Sequence, residues 1–327
     1  MSHILRSVLV LTTASITAGF LAAPGTAYAA DTTTKLSAAG MAADLKRVSS
    51  TSMATAKDGW RATMSFKVSD RSATGRYVVD PAARIASDKF RVGDDVAENY
   101  AVAGKGIYTY TSDPVTRAAV TMMGRASVRY VFTPQAVKLD TYVKDNMPSP
   151  SVVLTEDVNY AGTKIAHDDG SRDYAFKADD GVTARIHVNP AGVMTTARAT
   201  GPDLTMSLAY TYGAQHQKAP AAAVTVDAKT LATAVAYLDM PASVKDVANQ
   251  AATHTRRAAK GKTVKVAPLR TIVRRDATAF NSGIEVKMMK VSHIAGGARV
   301  SATNPWTHKT VSYTVKASGT KVLVAKG

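Results

Sequence analysis

The chain has 327 residues, with 41 lysines and arginines against 25 aspartates and glutamates, for a formal net charge of +16. It contains no cysteine, which excludes structural disulfides, thiol catalysis and a lipid-bearing N-terminal cysteine. The basic surplus points either to a well-solvated surface or to anionic partners. With an export signal at its start, a membrane surface or an acidic cell-wall polymer is favoured over nucleic acid.

Residues 1–30 read as a signal peptide. Arg6 gives a basic start, Ser7 to Ala23 is apolar and uncharged, and Ala27-Tyr28-Ala29 offers a small-x-small cleavage site. Cleavage near Ala29 or Ala30 would leave a secreted, extracytoplasmic protein of the cell envelope.

From Lys35 to Val48, Met41, Leu45 and Val48 fall at helical spacing. The period then changes to two. Trp60, Ala62, Met64, Phe66 and Val68 alternate with Arg61, Thr63, Ser65 and Lys67, as in a strand with one apolar face. Further strands are predicted at 75–79, 83–92, 98–103, 106–111 and 127–132. Asp80-Pro81 and Gly93-Asp94-Asp95 mark turns. Thr133-Pro134 is predicted to open a helix running to about Asp145. A second meander is predicted at 152–160, 173–178, 182–188, 193–199 and 204–212. Its last strand places Leu204, Met206, Leu208, Tyr210 and Tyr212 on one face.

Residues 215–226 read as a linker, with Pro220 followed by alanines. Beyond it Asp227 is a candidate cap for a helix aligning Leu231, Val235 and Leu238. Pro241 breaks that helix, and a second runs from about Ala242 to Ala259. Strands are predicted to close the chain at 263–266, 269–275, 284–292 and 310–315, with a short fifth at 321–324. The expected organisation is thus residues 31–214, a linker at 215–226, and a small α+β C-terminal domain at 227–327.

The sequence is poor in chemistry. The seven histidines form no H-x-H or H-x-x-x-H pair, and the three glutamates are Glu98, Glu156 and Glu285. Ser171 lies in DDGSRD, outside any nucleophile elbow. The carboxylates at 168–173 and Asp179-Asp180 lack the calcium-loop spacing, and turn chemistry explains both. No phosphate loop or RNA-binding aromatic signature is present. No enzyme activity, cofactor, metal or nucleic-acid partner is therefore expected.

The one-sided alternation needs a cover, and alternation serves a packed core and a cavity alike. The flanking helices are short for a sheet of about ten strands. A curved sheet half-filled by helices would leave a greasy cavity. Its candidate lining is Trp60, Met64, Phe66, Tyr108, Tyr110, Tyr130, Phe132, Met206, Leu208 and Tyr210. Arg256, Arg257, Lys260, Lys262 and Lys265 are the candidates for membrane or polyanion contact.

An N-terminal helix, the strand ending Tyr77-Val78-Val79-Asp80-Pro81, the GKGIYTYTSDP hairpin, a helical insertion after Phe132-Thr133-Pro134 and a closing Leu208-Ala209-Tyr210-Thr211-Tyr212-Gly213 follow one another in this order. In that order the chain resembles the LolA/LprG-like superfamily of exported lipid carriers, especially its actinobacterial secreted members, over residues 31 to 220. The resemblance implies an α+β fold: a curved antiparallel half-barrel sheet wrapped on helices, with a pocket for an acyl chain. The LprG branch is anchored through a lipidated cysteine, which this chain lacks. The expected function is a non-enzymatic carrier of a lipid or other hydrophobic ligand. The two-domain layout also resembles envelope-stress sensors of the RseB/MucB type, which bind a membrane protein. A basic, wall-associated structural protein is the third reading.

Overall fold

The computed structural model describes residues 31–155, 158–178 and 181–327. The signal peptide expected at 1–30 lies outside them, as do Glu156 and Asp179-Asp180. The fold is α+β. A large, curved, open antiparallel sheet of thirteen strands accompanies seven helices and a separate four-stranded sheet among the described residues.

The chain divides into two compact units. The first comprises residues up to Tyr110 and Phe132–Ala221; the second comprises Thr111–Val131 and Ala222–Gly327. The large sheet is built from β1 (Thr32–Leu36), β2 (Trp60–Val68), β3 (Arg71–Asp80), β4 (Ile85–Val92), β5 (Asp95–Val102), β6 (Gly106–Tyr110), β7 (Tyr130–Pro134), β8 (Gly162–Ala166), β9 (Arg172–Lys177), β10 (Thr183–Val188), β11 (Met194–Thr200), β12 (Leu204–Tyr212) and β13 (Thr225–Asp227). Their order is β1-β8-β9-β10-β11-β12-β2-β3-β4-β5-β6-β7-β13. The chain thus makes two meanders, and β12 joins them by pairing with β2 from Leu204↔Val68 to Tyr212↔Trp60.

Three helices accompany this sheet in the first unit. Helix α1 (Ala38–Thr55) starts at Ser37, whose side chain accepts a hydrogen bond from the Gly40 N–H at 3.2 Å. Met41, Leu45 and Val48, aligned in the sequence, are buried against the sheet. Numbering the remaining helices in chain order, α2 (Pro114–Met122) belongs to the second unit, while α3 (Leu139–Asn146) and α4 (Pro150–Thr155) belong to the first.

Two expectations fail here for identifiable reasons. Thr133-Pro134 does not open a helix: β7 continues through Pro134, and α3 begins only at Leu139. A residue preceding proline is biased toward extended backbone. The following backbone is also held elsewhere, since Gln135 N–H donates to Lys105 O at 3.2 Å and Val137 O accepts from Gly104 N–H at 3.0 Å. Of the strand expected at 152–160, residues 152–155 are instead helical in α4, 158–160 are in no strand and 156–157 lie outside the described residues. In α4 Pro150 takes the first helical position and the Ser149 hydroxyl faces the Val152 N–H at 3.4 Å.

In the second unit α2 is capped by Asp113, which accepts from Thr116 N–H at 2.7 Å, and has Pro114 in its first turn. It pairs with α5 (Ala228–Leu238), where Asp227 caps in the same manner at 2.7 Å. Val120, Val128 and Val226 form the small core between them. Helices α6 (Met240–Ala259) and α7 (Val266–Gly283) cover β14 (Lys290–Ile294), β15 (Gly297–Thr303), β16 (Thr310–Ser318) and β17 (Lys321–Lys326). The strand expected at 263–266 is an irregular segment leading into α7, and that expected at 284–292 begins only with β14 at Lys290; the strand expected at 269–275 is corrected to α7. Leu269, Val273 and Ala277 recur every four residues and are buried along it. The β-branched run Thr271-Ile272-Val273 imitates a strand locally, and burial of a helical stripe overrides it.

Candidate functional site

Because registered partners across antiparallel strands share a face, the register sorts every side chain of the large sheet. One row runs Tyr174, Ile186, Ala197, Leu208, Met64, Gly75, Phe90 and Ala97 from β9 to β5. The row on one side runs Phe176, Ala184, Ala199, Met206, Phe66 and Ala73. On the other side lie Tyr210, Ala62, Tyr77, Asp88 and Asn99. This face is apolar over most of its width, and it carries the main core of the first unit.

Six candidates from the sequence, Trp60, Met64, Phe66, Met206, Leu208 and Tyr210, share this face. Five of them are buried in a single cluster with Met41 and Leu45 of α1, and Phe66 packs against it part-exposed. Tyr210 is also pinned, its hydroxyl donating to Pro148 O at 2.7 Å. Gly162 lets α1 approach: a Cβ there would stand 2.7 Å from the Met41 methyl and 2.3 Å from the Ala175 carbonyl oxygen. This half of the face is packed core.

The other four candidates lie elsewhere. Tyr108 pairs with Tyr100, Tyr100 with Ser87, Ser87 with Val78 and Val78 with Arg61, so Tyr108 and Tyr110 share the Arg61 face. Phe132 packs against Tyr108 with ring centroids 4.6 Å apart and the ring planes tilted by 39°, and Tyr130 stands two residues before it on β7. The structure therefore forms two aromatic groups, on opposite faces, from what the sequence pooled. Gly106 holds this hairpin close to β7, since a Cβ there would meet the Thr133 carbonyl oxygen at 2.3 Å.

Over β4 and β5 the face is covered differently. Helix α3 packs on these two strands and has no fully buried residue. Its Leu139, Tyr142 and Val143 lie part-buried against the core, as does Phe90 of β4. Under α3 sits Asp88, which accepts from the Tyr142 hydroxyl at 2.5 Å and from Asn99 Nδ2 at 3.0 Å. Both donors are neutral, and among the described residues Asp88 has no ion-pair partner. Burial raises its carboxyl above the usual carboxylate range, with the Glu98 charge adding to this and the two hydrogen bonds opposing it. Tyr77, its registered neighbour, is pushed up to about 12 by burial and by the Asp88 charge. Asp88 escaped notice in the sequence, although its parity with Ala86 and Phe90 in IASDKF places a carboxylate among the apolar positions.

Other polar groups tie elements of the fold together. Asp44 of α1 bonds Lys164 at 2.9 Å and also pairs with Arg47; burial raises its carboxyl, and these cations hold it below the ordinary value. His167 lies between Asp31, at 3.0 Å, and Asp173, at 3.2 Å, which raise its pKa above that of a free imidazole, and Asp173 also bonds His187 at 2.7 Å. Asp169 accepts from Ser171 N–H at 2.8 Å, as in an Asx turn, and no metal-holding group occurs among the described residues. Arg256, Arg257, Lys260, Lys262 and Lys265 are all exposed around the α6–α7 turn.

No protein-family model and no curated protein matches the chain. Among solved structures, it is similar to LprF from Mycobacterium bovis, with 13% identity over 57% of this chain and 99% of that one, at a TM-score of 0.31. It is also similar to an uncharacterized conserved protein from Thermus thermophilus, with 11% identity over 56% of this chain and 98% of that one, at a TM-score of 0.29.

Proposed function

We propose that the chain is a non-enzymatic binding protein that seats a hydrophobic ligand between α3 and the apolar face of β3–β5. Helix α3 covers an apolar sheet face yet buries none of its own residues fully, while Leu139, Tyr142 and Val143 face inward. A core helix normally buries its apolar stripe. A cover that gives way to a guest need not, because the guest completes the burial. Phe90 and Tyr77 would supply apolar contact, and Asp88 with Asn99 would fix a polar end. The proposal includes export by the leader at residues 1–30.

A fluorescent fatty-acid probe titrated into the full chain tests this. Binding should be saturable. Val143→Lys, at a half-exposed position, should weaken it about tenfold by placing a charge where the ligand lies, with an unchanged circular dichroism spectrum. No saturable binding by the parent would refute the proposal.

A further inference from the structure

The C-terminal end of α6, the turn after it and the first turns of α7 enclose a groove that the proposed ligand seat does not involve. It has a volume of about 210 Å³ and is lined by Ala258, Ala259, Val264, Pro268 and Ile272, with Lys262 and Lys265 among the flanking residues. The surroundings carry one sign of charge. Between Asp246 and Asp276 the chain has eight lysines and arginines and no acid. Three of these are committed within the unit: Arg270 donates to Gly297 O and Ile294 O, Arg274 faces His293, and Arg275 pairs with Asp276. The other five, Arg256, Arg257, Lys260, Lys262 and Lys265, are exposed, and among the described residues none of them is in an ion pair.

The turn that carries them is built firmly. Lys260 adopts the left-handed conformation at φ 47°, capping α6, and Gly261 follows at φ 78°. Val264 is buried, and its N–H donates to Gly319 O at 2.8 Å, tying the turn to the β16–β17 hairpin. Lys262 and Lys265 therefore stand on a fixed rim of a mostly apolar notch, with Arg256, Arg257 and Lys260 exposed on the adjoining end of α6 and its cap.

We propose that this groove docks the second unit onto an anionic phospholipid surface, with the rim cations on headgroup phosphates and the notch receiving apolar interfacial groups. Charge complementarity selects an anionic partner. The apolar lining selects a lipid surface over a wall polymer, because a polyanion without hydrocarbon would gain nothing from Ala258, Ala259, Pro268 and Ile272. Each rim cation near such a surface strengthens binding about fivefold, and salt screens the effect.

The test is co-sedimentation of the full chain with vesicles of phosphatidylcholine, with and without phosphatidylglycerol. Binding should require phosphatidylglycerol and fall steeply as salt rises from about 0.1 to about 0.5 M. Lys260→Glu/Lys262→Glu/Lys265→Glu should lose affinity by about a hundredfold or more. Lys67→Glu/Arg71→Glu/Arg91→Glu, an equal charge change on exposed residues of the first unit, should lose far less. A Lys→Gln version of the first triple should fall between parent and reversal, and it serves where reversal disturbs folding. Ala258→Gln, which fills the notch without a charge, should weaken vesicle binding several-fold and leave retention on dextran sulfate unchanged. Equal losses from the two charge-reversed triples would overturn the proposal, since net charge alone would then explain binding. Unaltered vesicle binding by Ala258→Gln would also overturn it, in favour of a polyanion site.

Discussion

Asp88 and Leu208 lie on one sheet face in different surroundings. Leu208 is 2% exposed and meets Met64 and Ala197 across its neighbouring strands. Leu208→Arg should destabilise the first unit by about 3–5 kcal/mol, because a charge would lie unpaired in packed core. Chemical denaturation checks this, and a folded variant of parental stability would refute the assignment of that position to core. Asp88 behaves differently. Its folded pKa is raised, so its favourable contribution is complete below the unfolded carboxyl value of about 4 and is lost as pH rises through the folded value. The stability of the parent relative to Asp88→Asn should therefore fall between acid and neutral pH. Denaturation at several pH values measures it, and a constant difference would show that the carboxyl is not perturbed. His167 shifts in the same direction from an imidazole start, so its ties to Asp31 and Asp173 weaken as pH rises through its raised value. An NMR titration should find it above a free imidazole, and Asp173→Asn should lower it.

Helices and strands were legible wherever one period ran uninterrupted. Strand β2 from Trp60 to Val68 and β12 from Leu204 to Tyr212 stand where alternation put them, and Asp227 caps α5. Periodicity could not say which strands share a face, since that depends on register through the turns; hence Tyr108 and Met64 were pooled. It also missed α2, although Asp113-Pro114 carried a cap and a first-turn proline, and it read α7 as strands from its β-branched run. In α7 the buried Asp276 accepts from Arg275 at 2.8 Å and meets His254 of α6 at 2.7 Å. Asp276→Ala should remove about 2 kcal/mol from the second unit, by leaving its partners unmatched. Trp60 lies in the first unit and Trp306 in the second, against Tyr237, so a Trp60→Phe background reports this loss by fluorescence.

Across the whole molecule the units interleave in sequence. Residues 111–131 leave the first unit's chain path and belong to the second, where Val120 and Val128 are fully buried beside Val226. A fragment covering residues 31–221 should therefore carry α2 without its α5 partner. Amide exchange over 114–122 should be fast in that fragment and slow in the full chain; equal protection would contradict the division. Under the proposed function, a hydrophobic guest completes the burial beneath α3. Native mass spectrometry of the gently purified full chain tests it most directly. A population heavier than the polypeptide by the mass of a bound hydrophobic molecule, lost after organic extraction, is the predicted result. A spectrum showing the bare polypeptide mass, even after incubation with excess fatty acid, would refute a guest beneath α3.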